Sequence, residues 1–168
     1  EVTLIDVNHS KLSKVEKELR ANANGHTMLK ICVSDDNNGK LKNILKDCHI
    51  SICTTTNLRR IIKTEDMPEN TVIIDDSRPE AISRDAGHNK IVIEGGLMKI
   101  RGLDIDYNFG FGIDDNVFGC LAESYALALD AFKTLKPTLG DVDLANYERM
   151  KKFCLDNDIK CGDFKSRD

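Results

Sequence analysis

Short apolar runs alternate along this chain with stretches whose apolar residues recur at helical spacing. Val2-Thr-Leu-Ile-Asp-Val7 is short, β-branched and apolar, which predicts a buried strand. Ser10 can cap a helix whose apolar face is Leu12, Val15 and Leu19. Asn22 to His26 is a polar break, and Met28 to Val33 reads as a second strand. Asp35-Asp-Asn-Asn-Gly39 is a turn or cap before a short helix carrying Leu41, Ile44 and Leu45. Ile50-Ser-Ile-Cys-Thr54, Thr71-Val-Ile-Ile-Asp75 and Lys90-Ile-Val-Ile-Glu94 predict three more strands, the last closed by Gly95-Gly96. Pro79 can open a short helix at its first turn.

The pattern changes after Gly96. Leu97 to Gly112 is glycine-rich and extended. Asn116 to about Leu135 predicts a long helix, with Phe118, Leu121, Tyr125, Leu129 and Phe132 on one face. Pro137 and Gly140 break it. Asp143 to Asp156 predicts a second helix carrying Leu144, Tyr147, Met150 and Cys154. Continuous apolar strands alternating with helices indicate a parallel sheet covered on both faces. The expected class is α/β, with a sheet part over residues 1–112 and a helical part over 113–168 packed on it.

Asp6 closes the first strand. In a doubly wound, Rossmann-like sheet, an acid at the end of the second strand bonds the adenosine ribose. That acid normally follows a G-x-G-x-x-G loop by about 20 residues. Only five residues precede Asp6 here. The expectation is therefore a mostly parallel sheet lacking its first strand and its glycine loop, and with them the helix amides that hold a pyrophosphate. Asp6 is either a ribose ligand or a strand-end cap. As a ligand it favours NAD, because its charge repels a 2′-phosphate. Gly110-Phe-Gly112 is no substitute loop, since Asp114 and Asp115 follow where a phosphate would sit. A calcium loop around Gly39 fails too, with Ser34 and Leu45 at positions that need acids.

Cys120 lies about one turn into the predicted helix, behind Gly119. A helix N-terminus favours a thiolate. Such a thiolate can take an acyl group from a thioester, and hydride delivery would then release an aldehyde. The plain alternative is a core cysteine beside Leu121.

Composition narrows the partners. A net charge of −4 over 168 residues gives no reason to expect nucleic acid. There is no run long enough for a membrane span and no signal segment. The six cysteines form no Cys-x-x-Cys pair, which points to free thiols in a reducing, cytoplasmic setting. His9, His26, His49 and His88 are scattered, so no metal site is expected. Arg59-Arg60 reads as a solvated face, and Asp75-Asp76-Ser77-Arg78 either lines a pocket or ends its strand. A sheet without its first strand exposes an edge, which invites a homo-oligomer or a separate N-terminal half.

Four blocks together resemble one family. They are Val72-Ile-Ile-Asp-Asp-Ser-Arg-Pro79, Ile93-Glu-Gly-Gly-Leu-Met-Lys99, Leu103-Asp-Ile-Asp106 and Phe118-Gly-Cys-Leu-Ala-Glu-Ser-Tyr-Ala-Leu-Ala-Leu129. They are similar to the second half of the fatty acyl-(acyl carrier protein) reductases and their relatives described as predicted amino-acid dehydrogenases. The resemblance runs from Val2 to about Ile159 and implies that Cys120 is the acyl-accepting residue. It implies that Gly95 and Gly96 lie on the nicotinamide side, and that the run Thr54, Thr55, Thr56, Asn57 approaches the cofactor. The implied cofactor is NAD or NADP, with NADPH typical of the aldehyde-forming members. The family's N-terminal substrate domain and complete glycine loop have no counterpart in these residues.

Overall fold

A computed structural model of the chain describes residues 1–22, 25–33, 39–56, 62–82, 89–105, 107 and 116–164. It is a mixed α/β structure with parallel sheets and helices, arranged in two compact units. One is Glu1–Ile73 with Arg78–Ile91, and the other is Ile74–Ser77 with Val92–Asp168.

In the first unit β1 (Val2–Asp6) pairs in parallel with β2 (Leu29–Val33), Val2 opposite Leu29 and Asp6 opposite Val33. Parallel neighbours need a crossover, and α1 (His9–Asn22) supplies it. Its first turn is capped by Asn8, whose Oδ1 accepts from Lys11 N at 3.0 Å. The predicted cap, Ser10, instead lies within the helix. Of the expected apolar face only Leu12 is fully buried, while Val15 is half-buried and Leu19 exposed. The short helix α2 (Lys40–Leu45) starts at Gly39, which sits at φ 65°. That left-handed conformation suits the residue without a side chain.

Three further strands form a second sheet in the order β3 (Ile50–Cys53), β4 (Val72–Asp75), β5 (Ile91–Glu94). Ile91 N donates to Thr71 O at 3.2 Å and Gly95 N to Asp75 O at 3.0 Å. The fixed offset between these bonds makes β4 and β5 parallel. The expected cover on both faces is not complete. Ile50 and Ile52 share one side of β3 and are 64% and 69% exposed, whereas Cys53 on the other side is buried. Residues 80–82 after Pro79 form a coil and bend rather than a helix, and the rest of that expected helix lies outside the described residues.

The second unit holds strands that periodicity alone did not predict. β6 (Leu97–Ile100) lies between β7 (Asn116–Phe118) and β8 (Ile159–Cys161) and is antiparallel to both. Thus β6 precedes Gly112 in sequence yet pairs with strands that follow it. Met98, Ile100, Val117 and Ile159 share the side of this sheet that faces the helices. There they meet Ala122, Ala126 and Leu127 of α3 (Gly119–Leu129), together with Leu135. Met150, Phe153 and Cys154 of α4 (Leu144–Asp156) pack against the same cluster.

Two corrections concern α3. Asn116–Phe118 is strand, not the start of the helix, and the helix ends at Leu129 rather than near Leu135. It ends in a Schellman motif: Phe132 N donates to Leu127 O at 3.1 Å and Ala131 N to Ala128 O at 3.0 Å. Ala131 and Phe132 adopt φ of 52° and 56°, a region where glycine is usual. The Asp130 carboxylate reinforces the turn by accepting from Leu135 N, Thr134 N and Thr134 Oγ1. Those bonds, that from Leu135 first, hold its carboxyl below the ordinary range. The buried face of α3 also differs from expectation. Ala122 and Ala126 are inside, while Leu121, Leu129 and Phe132 are exposed.

The second helix follows its sequence signals closely. Asp143 Oδ1 accepts from Ala145 N and Asn146 N, which makes it the N-cap. Asn146 is buried and clamps the incoming loop, accepting from Lys136 N at 3.2 Å and donating to Lys136 O at 2.8 Å. No helix of the described residues is long and apolar enough to cross a membrane.

Candidate functional site

The carboxyl end of β4 carries Asp75, Asp76 and Ser77. Asp75 and Ser77 are fully buried, and Ser77 N donates to Asp75 Oδ1 at 3.0 Å. That carboxylate therefore closes its own strand. Asp76 is exposed. It lies over Gly95 and Gly96, which end β5. A side chain on Gly95 would place Cβ 2.8 Å from both Asp76 N and Asp76 Cβ. On Gly96, at φ 70°, a Cβ would run into Asp76 Oδ1, with Asp76 Cγ at 2.9 Å. Both glycines are thus needed for the close approach of Asp76, and Gly96 for its backbone conformation as well.

Gly96 O in turn accepts from Gly119 N at 2.7 Å, where β7 gives way to α3. The N-cap, Phe118, makes no side-chain hydrogen bond to the first turn. Cys120 is the second residue of that helix and is exposed. The core alternative for Cys120 is therefore not what the structure shows. Ser124 Oγ donates to Cys120 O at 2.9 Å. Glu123, the nearest acid in sequence, accepts from Thr138 N at 2.8 Å. Asp114 and Asp115 lie outside the described residues.

Asp75, Asp76, Gly95, Gly96, Gly119 and Cys120 consequently share one unit. The other residues assigned to a cofactor belong to the first unit. Asp6 Oδ1 accepts from Asn8 N at 2.9 Å, and Lys11 Nζ is 3.8 Å from Oδ2. This is the strand-end cap geometry. Thr54 is exposed and Thr55 half-buried, while Asn57 lies outside the described residues.

All six cysteines are free thiols. Burial pushes the Cys48 and Cys154 thiols up, in Cys48 against a smaller opposing effect from its bond to Ile50 O. Cys161 is exposed like Cys120 but lies on a strand. Among the described residues no cluster of His, Cys, Asp or Glu is placed to hold a metal ion. A surface pocket of about 160 Å³ lies before α4, lined by Lys136, Pro137, Thr138 and Asn146 among others. None of the predicted site residues contributes to it.

One residue of this unit, Asn116, escaped the sequence reading. Asp76 was legible within Asp75-Asp76-Ser77-Arg78, as either pocket lining or strand end. The paired glycines gave a usable signal, because two bare Cα positions imply that something approaches them. Asn116 is 2% exposed, and neither of its amide atoms has a hydrogen-bond partner. A carboxamide directly before Val-Phe could have signalled a polar group on an apolar strand. No protein-family model and no curated protein matches the chain.

Proposed function

We propose that this chain carries the thiol-bearing part of a Rossmann-like NAD(P)-dependent oxidoreductase that forms aldehydes from thioesters, in which Cys120 captures the acyl group. The observation that carries the reading is the exposed thiol in the first turn of α3, where the N-cap offers no competing side chain. In the capture step Cys120 loses its S–H proton and its sulfur forms a bond to the acyl carbon. The carbon–sulfur bond to the outgoing thiol breaks, and that thiol takes the proton. Sheet order supports the ancestry. Removing the first strand from a 3-2-1-4-5-6 sheet leaves 3-2 and 4-5-6. The chain has β2-β1 and β3-β4-β5.

Incubation with a neutral acyl thioester, followed by peptide mass spectrometry, tests the capture. Cys120 is expected to carry the adduct in preference to Cys161, which is equally a free, exposed thiol. Cys120→Ser is expected to abolish it. Equal labelling of Cys120 and Cys161 would remove the basis for a nucleophile.

A second reading, a non-enzymatic domain that self-associates through its sheet, is favoured by the open side of β3. Ile50 and Ile52 form a β-branched strip there. On that reading sedimentation gives a homodimer, and Ile52→Lys gives a monomer of unchanged circular dichroism. A monomeric wild type at tens of micromolar, on the order of cellular weak-complex constants, would sink it.

A further inference from the structure

We infer that the paired glycines serve Asp76 rather than a dinucleotide, and that through them Asp76 positions the Cys120 thiol for acyl capture. This rests on the capture reading and separates it from the cofactor. A glycine that receives a cofactor leaves its missing Cβ as room for the ligand. At Gly95 and Gly96 that room is already filled. The atoms nearest to the absent Cβ of Gly95 are Asp76 Cβ, Asp76 N and Asp75 C, and all three nearest to that of Gly96 belong to the Asp76 carboxylate.

The other expected cofactor contact lies in the first unit. Asp6, expected at the ribose, accepts from Asn8 N and pairs with Lys11. What the glycines do provide is a mechanical link. Asp76 rests on Gly96, Gly96 O receives Gly119 N, and Gly119 is joined to Cys120. Asp76 is thereby a positioning residue for the thiol. Capture itself exchanges one thioester for another, so its atoms and electrons balance without an oxidant or a reductant.

The test uses the full chain and S-octanoyl-N-acetylcysteamine as acyl donor. Adduct formation on Cys120 is expected at the same rate with and without NADH or NADPH, and neither dinucleotide shows saturable fluorescence quenching. Gly96→Ala is expected to slow capture about fivefold or more, as overpacking does. Adding Asp76→Ala is expected to recover the part of that loss owed to the carboxylate, while the strain of alanine at φ 70° remains. A merely structural glycine would show no such rescue. Saturable dinucleotide binding that Gly96→Ala abolishes, capture accelerated by either dinucleotide, or no rescue by Asp76→Ala would each overturn the inference. Should no adduct form on Cys120, the capture reading fails. The dinucleotide titration and the melting temperatures of the three variants then decide the pairing of the glycines with Asp76 on their own.

Discussion

Ile100→Ala is expected to destabilise the protein by about 3 kcal/mol, within the range for truncating a buried isoleucine. Ile100 ends β6 and is 2% exposed. It belongs to one buried cluster with Val117 and Ile159 of the flanking strands, Ala122, Ala126 and Leu127 of α3, and Leu135. Two of those six neighbours are alanines, which have no length with which to fill the space left behind. The lost transfer energy and the residual cavity therefore add. Urea denaturation followed by circular dichroism measures the effect. The midpoint should fall with little change in slope, since the surface exposed on unfolding is nearly the same. Ile52→Ala, on the open side of β3, gives the contrast and should stay within about 0.5 kcal/mol of wild type. A cost below about 1 kcal/mol for Ile100→Ala would mean that β6 does not sit at the centre of this core.

The same residues show where sequence patterning reached and where it stopped. Signals that act locally were readable. Gly39 opened α2, Asp143 capped α4, and β-branched runs marked the strands of both parallel sheets. The end of α3 was not readable, because the left-handed position that closes it holds Ala131 instead of glycine. The first proline or glycine after it is Pro137, which is why the helix was expected to run on to Leu135. The face of α3 was misread for a different reason. A periodicity count weights large apolar residues, yet this helix packs through Ala122 and Ala126, which permit close contact with the sheet. Leu121 and Leu129 stay outside. Four-residue β6 carries Lys99 among its apolar positions and pairs with strands that are distant in sequence, so no local period could announce it.

The candidate site was partly legible in the same sense. Cys120 and the paired glycines stood out as residue types, and the structure brings them together through the bond from Gly119 N to Gly96 O. What occupies the space beside the glycines was not legible. That depends on the register between β4 and β5, which places Asp75 O against Gly95 N and so lays Asp76 across Gly96. A sequence can show that a backbone position must be bare. Whether a ligand or a neighbouring strand takes the room is settled only by tertiary pairing.

Asn116→Leu is expected to raise stability by about 2 kcal/mol. Asn116 faces away from the core shared by Val117, on the side of the sheet that carries Leu97 and Phe118. It is 2% exposed, and both Nδ2 and Oδ1 lack partners. Each buried group left unpaired forfeits its hydration, at about 1–3 kcal/mol. Leucine has the same branched skeleton, is larger and carries no polar atoms, so the substitution removes that penalty and adds apolar burial. The room is bounded by Gly162, where a Cβ would already lie 2.8 Å from Asn116 Oδ1 and 2.9 Å from Leu97 Cβ. The gain is thus set below the sum of the two penalties. For a chain of this length, about 2 kcal/mol corresponds to a rise of roughly 4–8 °C in Tm. Asn116→Asp is the matching control and should destabilise, because it replaces an unpaired amide with an unpaired buried carboxyl. If Asn116→Leu lowers Tm instead, the carboxamide finds a partner in solution. The presence of a costly polar group would then be explained by what it binds rather than by how the sheet packs.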